Sequence, residues 1–358
     1  MEETTQIVAD AAARIFADLA DPQSVNRARG ADEERVWKDK FWRALTEAGL
    51  PLAWVPENLG GAGGSLADGF AVLGVAGRFA PAVPLAETLA AGWLLAQAGI
   101  EAPASPLTLA PLRPQQRIAL TSDGRLRGRA LGVPFARDCE HIAVLADAGD
   151  ALTIALVDRA QCRISEGRTL AGDAADVVSF DDARVLASAP APRDFDRSAL
   201  ALMGATIRSV ETAGALETVL ALCLAYANER VAFERKIGKF QAVQQNLARL
   251  AGEVAAALAV AGSAADTLAQ AADFDEGVFL EAAAAKIRTA EAAAEGAAIA
   301  HQVFGAIGFT REHVLHRFTL RLLSWRDDFG NESFWAAELG RRVARAGAEQ
   351  FWPLVASR

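Results

Sequence analysis

The stretch YANERVAFERKIGKFQAVQQNLARL (Tyr226–Leu250) joins two amphipathic helical runs across a break at Arg235–Gly238. Upstream lies GATIRSVETAGALETVLALCLAYANERVAF and downstream FQAVQQNLARLAGEVAAALAVAGSAADTLAQAA, both rich in Ala and Leu. Two such runs with a short connection predict an antiparallel helix pair. VFLEAAAAKIRTAEAAAEGAAIAHQVFG supplies a third helix and SFWAAELGRRVARAGAEQ a fourth, so a four-helix bundle is expected from about residue 191 to 358. Charged and amide side chains crowd the turn from Arg230 through Gln241. A solvated surface is the ordinary explanation, and the question is whether this turn does more.

Outward toward the N-terminus the texture changes twice. Residues 1–107 read as a helical domain. Ile7, Ala11, Ile15 and Leu19 recur at helical spacing, and Val36, Phe41, Leu45 and Leu50 repeat the pattern before Gly49 offers a stop. The glycine-rich VPENLGGAGGSLAD precedes a helix from about Leu66. Gly60, Gly61, Gly63 and Gly64 follow no strand and match no phosphate-loop spacing, so they read as a structural turn. Residues 108–190 alternate in the manner of strands. RIALTSDGRLRGRALGVPF predicts a hairpin about Asp123-Gly124, HIAVLADAGDALTIALVDRA another about a Gly-Asp turn, and ADVVSFDDARV a further strand. The fold class is therefore mainly α with a small, barrel-like β module of five to seven strands between two helical domains.

Composition narrows the function. A formal charge of −9 argues against nucleic acid, whose phosphates need a basic face. Cys139, Cys162 and Cys223 are far apart and form no CxxC, so neither a disulfide framework nor a zinc site is expected. The acidic, amphipathic N-terminus is no signal peptide, and no apolar run reaches a membrane span. A soluble, cytoplasmic protein follows.

Four ordered motifs carry a resemblance. VPENLGGAGGSLAD is similar to P-E-x-x-G-G-x-G, and YANERVAFERKIGKFQAVQQNLA to Y-x-x-x-R-x-x-F-G-x-x-I-x-x-F-Q. HQVFGAIGFTREHVLHR is similar to Q-x-x-G-G-x-G-[aromatic]-x-x-E, and WRDDFGNES falls near R-D-x-…-E-G-T. With the domain order, they make the chain resemble the acyl-CoA dehydrogenase family over nearly its whole length. The resemblance implies FAD and an acyl-CoA substrate. It also implies that Arg230 and Gln241 reach across a subunit interface to FAD held mainly by the neighbouring protomer. Gln302, Gly305 and Gly308 match the segment that packs its adenine end. A guanidinium grips phosphate oxygens, an amide donates and accepts, and glycine lets backbone approach closely. Ala306 and Glu234 each stand where the family has Gly.

The departures matter as much. Aligning Gly330 with the Gly of E-G-T places Phe329 where the family's catalytic base stands, and Phe takes no proton. The earlier helical position used by some members falls on Gly204, followed by Ala205 where Arg is usual. Catalytic residues are thus expected to be absent, with Glu332, Asp327 or Asp328 as fallback bases. The flavin-cradling T-E-x-x-x-G-S-D and I-T-N-like segments have no counterpart between Leu109 and Ala146. What remains would serve a neighbour's FAD, and what is lost would serve the chain's own. That pattern implies the non-catalytic partner in an α2β2 acyl-CoA dehydrogenase of the kind associated with bulky, steroid-like thioesters. The alternatives are a self-sufficient homo-oligomer with a divergent base and a flavin-free scaffold. Glu312, His313 and His316 share a helical face but lack a further metal ligand, and His141 and His301 show no Ser or Cys partner motif. Trp325, Phe329, Phe334 and Trp335 are expected to pack in a core or interface, or to wall the vestigial site.

Overall fold

A computed structural model describes residues 3–26, 31–113 and 115–356. The N-terminal helices are α1 (Glu3–Ala20), α2 (Pro22–Asn26), α3 (Ala31–Glu47), α4 (Leu66–Phe79) and α5 (Leu85–Gln97). In α1 the buried stripe runs through Ala12, Phe16 and Ala20, one residue on from the expected face, and Ile7 is exposed. Val36 of α3 is likewise exposed, while Phe41 and Leu45 are buried. The aromatic pair Phe16 and Phe41, with centroids 5.1 Å apart, recentres both helices on the rings. Ser65 and Asp68 form a capping box at the start of α4. Thr5 donates to Asp68 at 2.7 Å, which ties α1 to that cap.

Seven strands follow: β1 (Leu107–Ala110), β2 (Ile118–Leu120), β3 (Arg125–Pro134), β4 (His141–Ala148), β5 (Ala151–Asp158), β6 (Arg163–Ser165) and β7 (Ala175–Pro190). The sheet runs β1-β4-β2-β3-β7-β5, and β4 also pairs with β5, which closes it into a small barrel. The two expected hairpins form, Leu120 facing Leu126 and Ala148 facing Ala151. Gly124 and Gly149 occupy the left-handed conformation those turns require. Ile118, Leu126, Val133, Ile142, Val144, Val178 and Phe180 fill the barrel.

The remainder is helical apart from a small hairpin: α6 (Arg197–Glu229), β8 (Val231–Ala232), β9 (Arg235–Lys236), α7 (Gln241–Gln270), α8 (Glu276–Phe304), α9 (Leu315–Trp325), α10 (Glu332–Ala346) and α11 (Ala348–Ala356). The bundle is built from α6, α7, α8 and α9, and α10 packs outside on α8. The expected fourth helix is therefore α10 with α11, and α9 takes its place in the bundle by burying Leu315, Phe318 and Leu322. The expectation of no membrane-length segment also needs correction, because α6 and α7 are long and apolar enough by length and composition. In α6 those apolar residues pack against α4, α7, α8 and α9. At the α4–α6 crossing, a Cβ on Gly77 would lie 2.2 Å from the Glu211 carbonyl and one on Gly214 2.3 Å from the Gly74 carbonyl. Glycine at both sites lets the two backbones touch, fixing the N-terminal helices on the bundle.

Candidate functional site

Because α6, α7 and α8 alternate in direction, the end of α6, the start of α7 and the end of α8 meet at one end of the bundle. Tyr226 stacks on Phe304 with centroids 4.3 Å apart, joining the α6 and α8 termini. One turn beyond Tyr226, Arg230 caps α6 through its backbone N–H, 2.8 Å from the Tyr226 carbonyl, and its side chain is exposed. The chain then reverses in the β8–β9 hairpin. Its turn residues Phe233 and Glu234 lie at φ 51° and 63°, a conformation normally left to Gly or Asn. Phe233 is 90% exposed. A strained turn that presents a naked aromatic ring fits a surface covered in an assembly. Gln241 opens α7 beside it and is exposed.

On the α8 side, Gln302 lies in a groove of about 420 Å³ with Ala294, Ala297, Ala298, His301 and Phe309. His301 stacks on Phe309 at 4.1 Å, and its Nε2 lies 3.0 Å from Thr319 Oγ1. Its buried Nδ1 has no hydrogen-bond partner, and burial holds its pKa below the ordinary imidazole value. Gly305, at φ 65° and ψ −144°, adopts a backbone shape open essentially to glycine. At Gly308 a Cβ would meet that of Phe304 at 2.9 Å. Small helix residues, stacked rings and exposed amide and guanidinium groups suit the adenine and diphosphate end of FAD. The five residues expected to bind cofactor thus lie at one end of the bundle.

The would-be catalytic centre is different. A Cβ at Gly204 would lie 2.2 Å from Cδ1 of Phe329, so the Phe329 ring fills the space above Gly204. Phe329 is 3% exposed and sits at φ 55°. Two cavities touch its ring, one beside Leu145 and Leu200, the other beside Glu87 and Ile207. Each measures about 10 Å³, room for a single water at most. The indole N–H of Trp335 donates to the Phe329 carbonyl at 3.1 Å.

Beneath the ring lies a buried ion cluster that the sequence reading missed. Arg208 donates to Glu87 and Glu211, both at 2.6 Å, and to Asp328 at 2.9 Å. Burial opposes the charge on Arg208, but the three carboxylates outweigh it and hold its pKa well above the usual value. Burial raises Glu87 and pushes Glu211 up to about 7. Lys286 donates to the carbonyls of Trp325 and Arg326 at 2.7 and 3.0 Å, and burial brings its pKa down to about 8. The sequence signal was Glu87, Arg208 and Glu211 within locally apolar stretches, and Lys286 directly after four alanines. Of the fallback acids, Asp328 is engaged by Arg208, Glu332 is paired with Arg326 and Asp327 is exposed.

The other candidates resolve simply. The glycine loop spends N–H groups internally, Gly63 on Val55 and Gly64 on Ala53 at 2.9 and 2.8 Å, so it is a packed turn. His316 Nδ1 lies 2.7 Å from the His313 carbonyl, and no group of three or more His, Cys, Asp or Glu residues suits a metal among the described residues. His141 does have a serine neighbour, contrary to expectation: Ser105 Oγ lies 3.0 Å from its Nδ1. Of the aromatic patch, Phe329 and Trp335 are buried, and Phe334 packs edge-on to Trp335 at 5.3 Å.

Family models agree with this layout. Acyl-CoA dehydrogenase, N-terminal domain matches residues 2–103, and Acyl-CoA dehydrogenase, C-terminal domain matches residues 200–333. The chain is 31% identical over 330 residues to acyl-CoA dehydrogenase IpdE2 of Mycobacterium tuberculosis, covering 89% of this chain and 91% of that protein. Among solved structures, the ChsE4–ChsE5 complex from Mycobacterium tuberculosis is similar at TM-score 0.84 and 24% identity, covering 97% of this chain and 99% of that one. The Tcur3481–Tcur3483 steroid ACAD, as a G363A variant, is similar at TM-score 0.81 and 26% identity, covering 96% and 98%.

Proposed function

The chain belongs to the acyl-CoA dehydrogenase family, and on that premise we propose that it is the non-catalytic, β-type subunit of a heteromeric enzyme. One observation carries the reading: the Phe329 ring occupies the space over Gly204, so the chain has no room for an acyl thioester at its own centre. A family member stripped of its own site but keeping an exposed cofactor-facing surface has that surface left to offer. The relatives support this, since the similar solved structures include a ChsE4–ChsE5 complex and a Tcur3481–Tcur3483 pair described as a steroid ACAD. We extend from them a bulky, polycyclic acyl-CoA as the substrate of the complex, acted on in the cytoplasm by an α2β2 assembly.

Within that assembly each residue has a chemical task. Arg230 would hold diphosphate oxygens of FAD bound chiefly by the partner, as a fixed fork that lysine would not reproduce. Gln241 and Gln302 orient the cofactor through amide hydrogen bonds, and Gly305 and Gly308 let backbone approach its adenine end. FAD, when bound, would supply the hydride-accepting chemistry that α,β-dehydrogenation of the acyl group requires. The base that removes the α-proton comes from the catalytic partner, because Phe329 and Gly204 carry no titratable group. Phe329 keeps substrate and water out of the sealed half.

Flavin content tests the proposal. The chain purified alone is expected to be colourless, and coexpression with a catalytic acyl-CoA dehydrogenase subunit to give a yellow complex. With one of the two centres in each pair of unlike chains sealed, about one FAD per pair is expected. Arg230→Ala should lower flavin occupancy without unfolding the chain. Stoichiometric FAD in the chain alone would favour a self-sufficient enzyme, and a colourless complex would leave a flavin-free scaffold.

A further inference from the structure

A second concavity shares no lining residue with the sealed centre or with the Gln302 groove, although Arg311 and Glu312 on its wall follow directly on the Gly305–Phe309 segment. It measures about 980 Å³ and opens between the N-terminal helices, the segment linking β6 to β7, and the start of α9. Four guanidiniums line it, from Arg168, Arg311, Arg317 and Arg321. In a chain of net charge −9, that concentration is a local reversal of sign. Three carboxylates share the cleft, Glu34, Asp173 and Glu312. Asp173 is engaged by Arg321 at 2.7 Å and Glu34 by Lys38 at 3.0 Å; with Glu312 the lining carboxylates number three against four guanidiniums, so the cleft keeps a small positive excess. Burial, and then the charges of Arg317, Arg321 and Arg311, hold His316 below the ordinary imidazole pKa.

The walls are built rather than incidental. Asn26 donates to the carbonyls of Arg311 and Glu312 at 3.1 and 3.4 Å, pinning that backbone to α2. In the segment linking β6 to β7, Arg168 pairs with Ala174 in a β-bridge, and the Thr169 N–H meets the Asp173 carbonyl at 2.9 Å. Two exposed guanidiniums, Arg168 and Arg311, thus rise from fixed backbones in two different segments lining the cleft, with Arg168 Nη1 donating to the Gly172 carbonyl at 3.4 Å. The buried Arg321 closes the floor, donating also to the Arg317 carbonyl at 3.1 Å.

We propose that this cleft binds a diphosphate-bearing ligand, gripped between Arg168 and Arg311. Guanidiniums on two walls suit an anion with several charged oxygens spread over more than one phosphate. The volume admits a nucleotide as well as free diphosphate. The ligand would bridge three parts of the chain and stiffen their packing.

Titration calorimetry of the full chain tests this, with inorganic pyrophosphate and ADP as probes and adenosine as the uncharged control. Saturable, salt-weakened binding of either anion is expected, lost by at least about tenfold in Arg168→Ala/Arg311→Ala. Tighter binding of ADP than of pyrophosphate would assign a nucleotide, and equal binding a diphosphate group alone. Loss of ADP binding in Gln302→Ala but not in the double arginine variant would place the anion in the cofactor groove and overturn the proposal. So would adenosine binding as tightly as ADP, or no saturation by about 5 mM of either anion.

Discussion

The contact between Gly204 and Phe329 can be measured by a double-mutant cycle. Phe329→Ala empties a buried aromatic site and should cost about 3–5 kcal/mol. Gly204→Ala has two opposed effects. Alanine in a helix interior gains about 1 kcal/mol over glycine. The new Cβ, however, would lie 2.2, 2.3 and 2.4 Å from three atoms of one ring. That ring cannot easily give way, because Asp328 before it is held by Arg208 and its own carbonyl by Trp335. Overpacking of this kind costs about 1–3 kcal/mol, and the rigid surroundings favour the upper end. The net expectation for Gly204→Ala is a loss of about 2 kcal/mol.

Without the ring the clash is gone. In the Phe329→Ala background, Gly204→Ala should then stabilise by about 1 kcal/mol, giving a coupling of about 3 kcal/mol. Equilibrium urea unfolding of the four chains, followed by tryptophan fluorescence and circular dichroism, yields the cycle where the two transitions coincide. Coupling within about 0.5 kcal/mol of zero would refute the contact. The centre would then be open, and the non-catalytic reading would lose its main support.

Arg208→Met should destabilise the chain by about 3–5 kcal/mol at neutral pH, since it strands Glu87, Glu211 and Asp328 without their shared cation. Thermal unfolding should show a smaller loss at pH 5, where the carboxylates can protonate. Glu211 has a native pKa raised from 4.5 to about 7, so its contribution is full below 4.5 and is lost as pH rises through 7. Glu211→Gln should therefore flatten the stability profile between those limits, and an unchanged profile would show that another group is responsible. Glu332→Gln in the complex should leave turnover nearly unchanged, because Glu332 is committed to Arg326. A fall of more than about a hundredfold would make it the base after all.

Much of the architecture was legible because burial imposes period. Ala, Leu and Val at helical spacing marked α6, α7 and α8, and alternation about Asp123-Gly124 and Gly149-Asp150 marked the barrel hairpins. α9 escaped because His316, Arg317 and Arg321 interrupt its apolar residues, and Arg321 is buried with its charge paired to Asp173. Phe329 and Gly204 could each be singled out by position in a motif. Their contact spans 125 residues of chain, and nothing local in the sequence announces it. The charges of the Arg208 cluster were visible in the sequence but their pairing was not, for the same reason: its carboxylates arrive from α5, from α6 and from the segment before α10. The residues proposed to face the cofactor sit at helix ends, which motif spacing and bundle topology bring together.

The sealed centre and the ion cluster constrain one another, and that bears on whether one change could restore a base. Phe329 is the obvious position, since Glu there would recreate a carboxyl group on the same backbone. Its ring, however, shares a cavity of about 10 Å³ with Glu87 and Arg208. An introduced carboxylate would join Glu87, Glu211 and Asp328, with Arg208 and Lys286 as the nearby buried cations. Desolvation and three like charges would both favour its neutral form. Phe329→Glu should therefore yield no dehydrogenase turnover by the chain alone. It should also make the chain less stable as pH rises, because a carboxyl whose native pKa is raised contributes stability that is lost above its ordinary range. Comparing unfolding midpoints at pH 5 and pH 7.5 with the parent chain reads the second effect without requiring flavin. A variant equally stable at both values, with measurable turnover, would show that the cluster tolerates a fourth acid. The loss of the base would then be a single reversible substitution, and the packing around Phe329 would not be what keeps this half silent.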